Sequence, residues 1–406
     1  MKHRVVITGM GIWSCIGQDL ETVTESLRLG RSGIIFDQSR IDYGLQSGLV
    51  GNVPRPDLKP LLPRKFRATM SEDAEYAYMA ARQAFLQAEI TDEYLRENEV
   101  GIIWGSDGNS QQVEQVKEMH EFHDTQVLDP NTLFRSLTSS ASMNLSTIFC
   151  LRGINLSVAS ACASGGHAIA VGAMYLKAGM QKQILIGASY SPDKYGAIPR
   201  DAHRMLSSDN GHPQTASKPF DKNRTGDIQS GGAAAIVLEE YENAIKRGAD
   251  IIAEVVGLGF SNMAITDTNE INDESYYQCI VNTIKNAHVS ATDIDYVSSI
   301  AAGTKEETYE FKALSRIFTN NHTYIGSQQC QVGHEYWMTG ASKVVYSLLM
   351  MQNNFVSPQI NLDMVDDNAK YLNITKTLKY TPLNTILVHT SGLRGTHCAL
   401  IFKKCE

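Results

Sequence analysis

The 406-residue chain lacks the features that mark several large function classes. Its seven cysteines, Cys15, Cys150, Cys162, Cys279, Cys330, Cys398 and Cys405, make no CxxC pair and no spacing suited to a metal. Neither a disulfide framework nor a metal site is therefore expected, and an odd, scattered set reads as a reduced cytoplasmic protein. No apolar run reaches the length of a membrane span, and the start, MKHRVVITGMGIWSCIG, is broken by glycines before a signal-peptide core can form. No membrane partner is expected. Against 44 acidic residues stand 36 Lys and Arg, a net charge of -8, with no basic stripe interleaved with aromatics. That excludes the usual footprint of nucleic-acid binding. A dinucleotide fingerprint is incomplete as well: in TGMGIWSCIG, Gly9 and Gly11 are followed by Ser14, and Gly17 comes too late. No cofactor is expected.

What is present is an ordinary globular composition, 43% hydrophobic and 20% charged, long enough for one large core or two merged ones. RVVITGMG reads as a buried strand ending in a glycine turn, LETVTESLRLG as a helix capped by Gly30, and AEYAYMAARQAFLQA as a long amphipathic helix. VGIIWGS, QILIGAS and AAAIVLEE are short apolar runs between turn residues, so the pattern is α/β. After the helix YENAIKRGA a similar series restarts with IIAEVVGLGFS, YYQCIVNTIKNA, IDYVSSI, SKVVYSLLMMQ, NTILVHTS and HCALIFKK. Two comparable halves, 1–246 and 247–406, are expected to share a core.

One stretch poses a chemical question. SVASACASGGHAIA sets Cys162 among small residues, between a strand-like INLSV and an apolar helical pattern that runs to Gly179. A thiol at a helix start faces unpaired N–H groups and the positive end of the helix dipole, which favours thiolate. Close packing of two elements explains the same small residues, with Cys162 as a buried filler.

Longer stretches decide between these readings. RVVITGMGIWSCIG, SACASGGHAIA, KPFDKNRTGDIQSGGAAAIVLEE from Lys218, VGHEYWMTGAS around His334, the tail FVSPQINLDMVDDNAKYLNI, and SGLRGTHCALIF together resemble the β-ketoacyl-acyl-carrier-protein synthases of the thiolase-like superfamily, most closely the type I elongating enzymes. The resemblance runs through nearly the whole chain in order. It implies a five-layer α/β/α/β/α sandwich of two fused similar halves, dimeric, with acyl carrier protein as partner. It implies Cys162 as acyl acceptor, His334 as the second of two supporting histidines, and the N–H groups of Cys162 and Leu393 as the oxyanion hole. It also suggests carrier docking at Arg64, Lys65 and Arg67 in LLPRKFRATM, and dimerisation through GINLSVAS.

The chain departs from the family pattern at several places. The first histidine should follow IDYV, but IDYVSSIAAGTKEET puts Ile300 there, or Ser299 with one residue deleted. Gln329 stands where the family lysine is expected, and Leu393, Arg394 and His397 alter the C-terminal loop. His389 and His397 are expected to border the site from that loop, while His167, His203 and His212 have bland core or surface readings. Losing one enolate donor costs about 3 kcal/mol, roughly a hundredfold in rate. Two readings follow: an acyltransferase of fatty acid or polyketide (such as aryl polyene) biosynthesis that loads Cys162 with condensation impaired, or a non-catalytic subunit like a chain-length factor, paired with an active ketosynthase. The dimer is accordingly with itself or with a second ketosynthase.

Overall fold

Ten strands form one mixed sheet in the computed structural model, which describes residues 3–109, 111–263, 272–319 and 321–405. In chain order they are β1 (Val5–Ser14), β2 (Gly101–Gly105), β3 (Asn155–Val158), β4 (Gln183–Tyr190), β5 (Gly232–Glu240), β6 (Ala253–Asn262), β7 (Tyr296–Ser298), β8 (Tyr324–Gly326), β9 (Thr385–Ser391) and β10 (Thr396–Lys403). Their spatial order is β8-β7-β9-β10-β6-β1-β5-β4-β2-β3. At the centre β6 and β1 share only the pairs Val6 with Glu254 and Ile7 with Ala253. The sheet thus divides into β3-β2-β4-β5-β1 and β8-β7-β9-β10-β6, the same order repeated. Strand directions repeat too: the two chain-terminal strands of each half and the one beside them are antiparallel, and the other pairings are parallel.

The helices packed on the sheet and around the site follow the same repeat. Those used below are α1 (Glu72–Gln87), α2 (Ser140–Ile148), α3 (Ser164–Lys177), α4 (Lys194–Ala202), α5 (Glu274–Ala287), α6 (Glu307–Ile317) and α7 (Thr339–Gln352), and the expected helix ending at Gly30 is present as Leu20–Leu29. Helices α1 and α2 cover the outer face of the first half, and α5, backed by α6, covers that of the second. Between the two halves α3 packs on α7. The result is the five-layer α/β/α/β/α arrangement, with α4 as an addition between β4 and β5 that has no counterpart in the second half.

One local expectation is corrected. Gly9 and Gly11 do not end β1 in a turn; the strand runs through both. A Cβ at Gly9 would lie 2.1 Å from the Ala84 carbonyl oxygen and one at Gly11 1.9 Å from that of Ala80. These glycines let α1 lie directly on the strand, so their role is close approach and not chain reversal.

Candidate active site

Cys162 lies on the turn between β3 and α3. Ala161 there takes a left-handed φ of 48°, a conformation a residue with a Cβ adopts only under constraint. Ser164 Oγ supplies that constraint, donating to the Ala161 carbonyl at 2.6 Å and accepting the Ser160 N–H at 2.8 Å. Helix α3 starts at Ser164 with Ala163 as its cap, so Cys162 precedes the first turn instead of sitting in it.

The surrounding small residues also have a packing reason. A Cβ on Gly340 would sit 2.1 Å from the Gly166 nitrogen, and one on Gly165 2.7 Å from the Ala341 nitrogen. The starts of α3 and α7 touch backbone to backbone, which brings the loops before both helices to one place. Close packing and a candidate nucleophile are here a single arrangement.

His334 comes from the loop before α7. Its N–H donates to the Ile228 carbonyl at 2.7 Å and its carbonyl accepts the Ser230 N–H at 2.9 Å, so a segment of the first half clamps this residue of the second. Its Nδ1 is 3.2 Å from Thr339 Oγ1. Burial first, then the nearby Arg200 and Lys343 charges, pushes the imidazole well below its ordinary value. His334 is neutral at pH 7. It lines a cavity of about 440 Å³ that Cys162 and Leu393 also line.

Three charged residues of the same cavity, Arg200, Asp227 and Lys343, went unforeseen in the sequence. Arg200, on α4, donates through Nη2 to Cys162 Sγ at 3.1 Å and through Nη1 to Asp227 Oδ2 at 2.8 Å. Its guanidinium carbon stands 3.9 Å over the Tyr336 ring. Burial pushes the Cys162 thiol up, and the Arg200 cation opposes that rise. A thiolate formed here meets a cation already in contact.

Another stretch of the wall comes from the segment after β7. Ile300 lines the cavity, whereas Ser299 is fully buried and turns its hydroxyl to Glu310. Of the two residues expected at the position of the first family histidine, the structure puts Ile300 at the wall. The Ile300 N–H donates to both Glu310 oxygens at 3.1 and 3.0 Å, and Gln329 Nε2 donates to the Ile300 carbonyl at 2.9 Å. Lys343 reaches the same wall from α7, its Nζ donating to the Ser299 and His389 carbonyls at 2.6 Å each. Burial pushes this ammonium down to about 7, with Glu310 opposing.

The remaining expected residues fall away from the cavity. His389 and His397 are not in the loop but on β9 and β10, both fully buried. His389 Nδ1 pairs with Glu310 Oε1 at 2.7 Å, and His397 Nε2 meets Ser275 Oγ at 3.2 Å. Strand pairing turns them into the core, so the expectation that they border the site is wrong. His167 Nδ1 lies 3.1 Å from the Ala163 carbonyl oxygen, and His212 and His203 are exposed. Arg64, Lys65 and Arg67 form a short surface helix outside the cavity, where Arg67 Nε donates to the Leu62 carbonyl at 3.0 Å. Among the described residues no group of His, Cys, Asp and Glu is placed to hold a metal ion, and no helix is long and apolar enough to cross a membrane.

Comparison with known proteins bears directly on this geometry. The N-terminal domain of β-ketoacyl synthases matches residues 2–244, and the C-terminal domain matches residues 252–363. The chain belongs to the β-ketoacyl synthase family. The 3-oxoacyl-[acyl-carrier-protein] synthase 1 of Escherichia coli (strain K12) is 33% identical over 99% of both chains, and synthase 2 of Vibrio harveyi is 28% identical over 99% of both. A β-ketoacyl synthase from Burkholderia phymatum STM815 superimposes with a TM-score of 0.94 at 27% identity, covering both chains fully. The ishigamide ketosynthase/chain length factor shares the fold, with a TM-score of 0.90 at 24% identity over both chains.

Against that family background, the residues missed in the sequence left unequal traces. Lys343 is the lone charge in TGASKVVYSLLMMQ, an otherwise apolar helix buried throughout but for its last residue, and a cation so placed is a signal in itself. Arg200 and Asp227 left none, because they are 27 residues apart and meet only in the fold.

Proposed function

We propose that this chain is a ketosynthase-type acyltransferase in which Cys162 takes an acyl chain from acyl carrier protein, in fatty acid or polyketide assembly. The observation that carries the reading is the Arg200 guanidinium 3.1 Å from Cys162 Sγ, at the wall of a cavity shared with His334. The thiolate is the attacking species, and the cation offsets what burial costs it. The developing oxyanion is assigned to the N–H groups of Cys162 and Leu393, neither of which donates to a backbone carbonyl among the described residues. The reading assigns the neutral His334 the tautomer in which Nδ1 accepts from the Thr339 hydroxyl, 3.2 Å away, so that the Nε2 proton serves a thioester carbonyl.

Condensation is the weaker half of the reaction. An enolate facing Ile300 in place of an imidazole loses one donor, although Lys343 retains one N–H beyond the two it gives to carbonyls. Acyl loading is expected to outrun decarboxylation of malonyl-carrier protein. The first half, 1–246, then supplies the nucleophile and the second, 247–406, supplies His334 and the Leu393 loop.

In this reading Arg64, Lys65 and Arg67 receive the acidic carrier, and the protein acts in the cytoplasm as a dimer. The free edge of β3 and the exposed Val113, Val116, Phe122, Val127 and Leu133 after β2 support pairing with a second chain. Intact-protein mass spectrometry of wild type and Cys162→Ala, after incubation with acyl-carrier protein, tests the central claim: wild type alone gains the acyl mass. No gain with any chain tried, beside an active ketosynthase that does load, refutes it. Ile300 and Gln329 at the malonyl wall favour a second reading, a chain-length-factor-like subunit. Co-purification with a histidine-complete ketosynthase, together with absent loading, would establish that one.

A further inference from the structure

Asp227 has a feature that the loading reaction leaves unused. The residue is fully buried yet lines the cavity, and while its Oδ2 takes Arg200, its Oδ1 has no hydrogen-bond partner. A buried carboxylate oxygen without a donor is costly. The backbone gives it no freedom to find one elsewhere: the Asp227 N–H donates to the Met205 carbonyl and the Gly226 N–H to that of Gly303, each at 3.0 Å. At Gly226, where φ is 131°, an added Cβ would lie 2.4 Å from the Met205 oxygen.

We propose that the Cys162 end of the cavity selects acyl chains bearing a hydroxyl on the β-carbon, whose O–H donates to Asp227 Oδ1. The inference rests on Cys162 being the acyl acceptor. Three chemistries can be compared at this oxygen. A plain alkyl chain leaves Oδ1 unpaired. A carboxylate-bearing chain sets its charge against Oδ1, where Arg200 is already committed to Asp227 and to Sγ. A cationic chain meets the Arg200 guanidinium. A neutral hydroxyl supplies the missing donor without either penalty. Position follows from Arg200 itself, whose two terminal nitrogens bridge Sγ and Asp227. The β-carbon of a chain joined at Sγ reaches across the same span. Burial pushes the Asp227 carboxyl up to about 6, with Glu306 adding to the rise, so above that pH it is an acceptor.

The transfer is a thioester exchange. Cys162 thiolate attacks the carrier thioester, the new S–C bond forms, the old one breaks, and the carrier thiol leaves with the proton that Cys162 gave up. The test compares loading rates of carrier protein charged with β-hydroxyoctanoyl or with octanoyl chains, read as acyl mass on Cys162. Wild type should load the hydroxylated chain about ten- to a hundredfold faster. The double variant Arg200→Leu/Asp227→Leu removes both charges together, and its rate ratio should fall to about one whatever its absolute rate. Rates within about twofold of each other in wild type, or a preference that persists in the folded double variant, overturn the assignment while leaving Cys162 as acceptor. Absence of loading by either chain overturns both.

Discussion

Replacing Arg200 by glutamine is expected to slow alkylation of Cys162 by iodoacetamide by roughly 10- to 100-fold near neutral pH. Among the described residues Arg200 is the one cation hydrogen-bonded to Sγ, at 3.1 Å, and toward the thiolate this contact is a charge-assisted hydrogen bond. Such a bond is worth about 1.5–3 kcal/mol, and about 1.4 kcal/mol is a factor of ten in thiolate population. Asp227 loses its partner in the same variant. Its carboxyl, already pushed up to about 6, then shifts further toward the neutral form, so little new repulsion reaches the sulfur. The loss of the cation therefore sets the magnitude. Cys150 is exposed and will react regardless, so the rate must be read by mass spectrometry on the peptide containing Cys162, across a pH series, with Cys162→Ala as blank. A wild-type and an R200Q profile that coincide would refute the view that Arg200 activates the thiol.

Gly340→Ala should lower the melting temperature and abolish Cys162 acylation, because its Cβ would meet the Gly166 nitrogen at 2.1 Å and overpacking against backbone costs about 1–3 kcal/mol or more; an unchanged melting temperature would refute it. Burial pushes the Glu335 carboxyl up to about 7, so its proton is held more tightly folded than unfolded. The stability it contributes is whole below about 4.5 and lost as pH rises through about 7, up to about 3 kcal/mol. Denaturant titrations at several pH values should show a flatter profile for Glu335→Gln, and parallel profiles would contradict the assignment. Wild type should release carbon dioxide from malonyl-carrier protein about a hundredfold more slowly than a histidine-complete synthase assayed beside it, and equal rates would show that Lys343 replaces the imidazole outright. Light scattering at micromolar concentration should report a dimer, and a monomer would count against the free edge of β3 as an interface.

The strands and helices were legible wherever periodicity and punctuation agreed. IIAEVVGLGFS became β6 and YYQCIVNTIKNA became α5 because burial of one face dictates both spacings. Gly9 and Gly11 misled for a physical reason: a glycine that admits a neighbouring helix looks the same in sequence as one that turns the chain. At the site, Cys162 and His334 were legible through their motifs. Between Ile300 and Ser299 the motif left a choice, and the structure puts Ile300 on the cavity wall and turns Ser299 to Glu310. His389 and His397 were misplaced because their order in the chain puts them beside the loop while strand pairing carries their side chains into the core. Arg200 with Asp227 belongs to the class no local pattern can show, a pair made by the fold.

The backbone contact between Gly340 and Gly166 separates two tasks that enzymes often combine in the same atoms. Alignment of the loops that carry Cys162 and His334 depends on how closely a pair of helix starts can approach, backbone against backbone. The scaffold is therefore indifferent to what the loops present. Ile300 from the segment after β7 and Lys343 from α7 meet at the cavity wall above this platform without taking part in it. Chemistry on such a frame is replaceable cargo, which suits it to partners and substrates that differ from one copy of the architecture to the next.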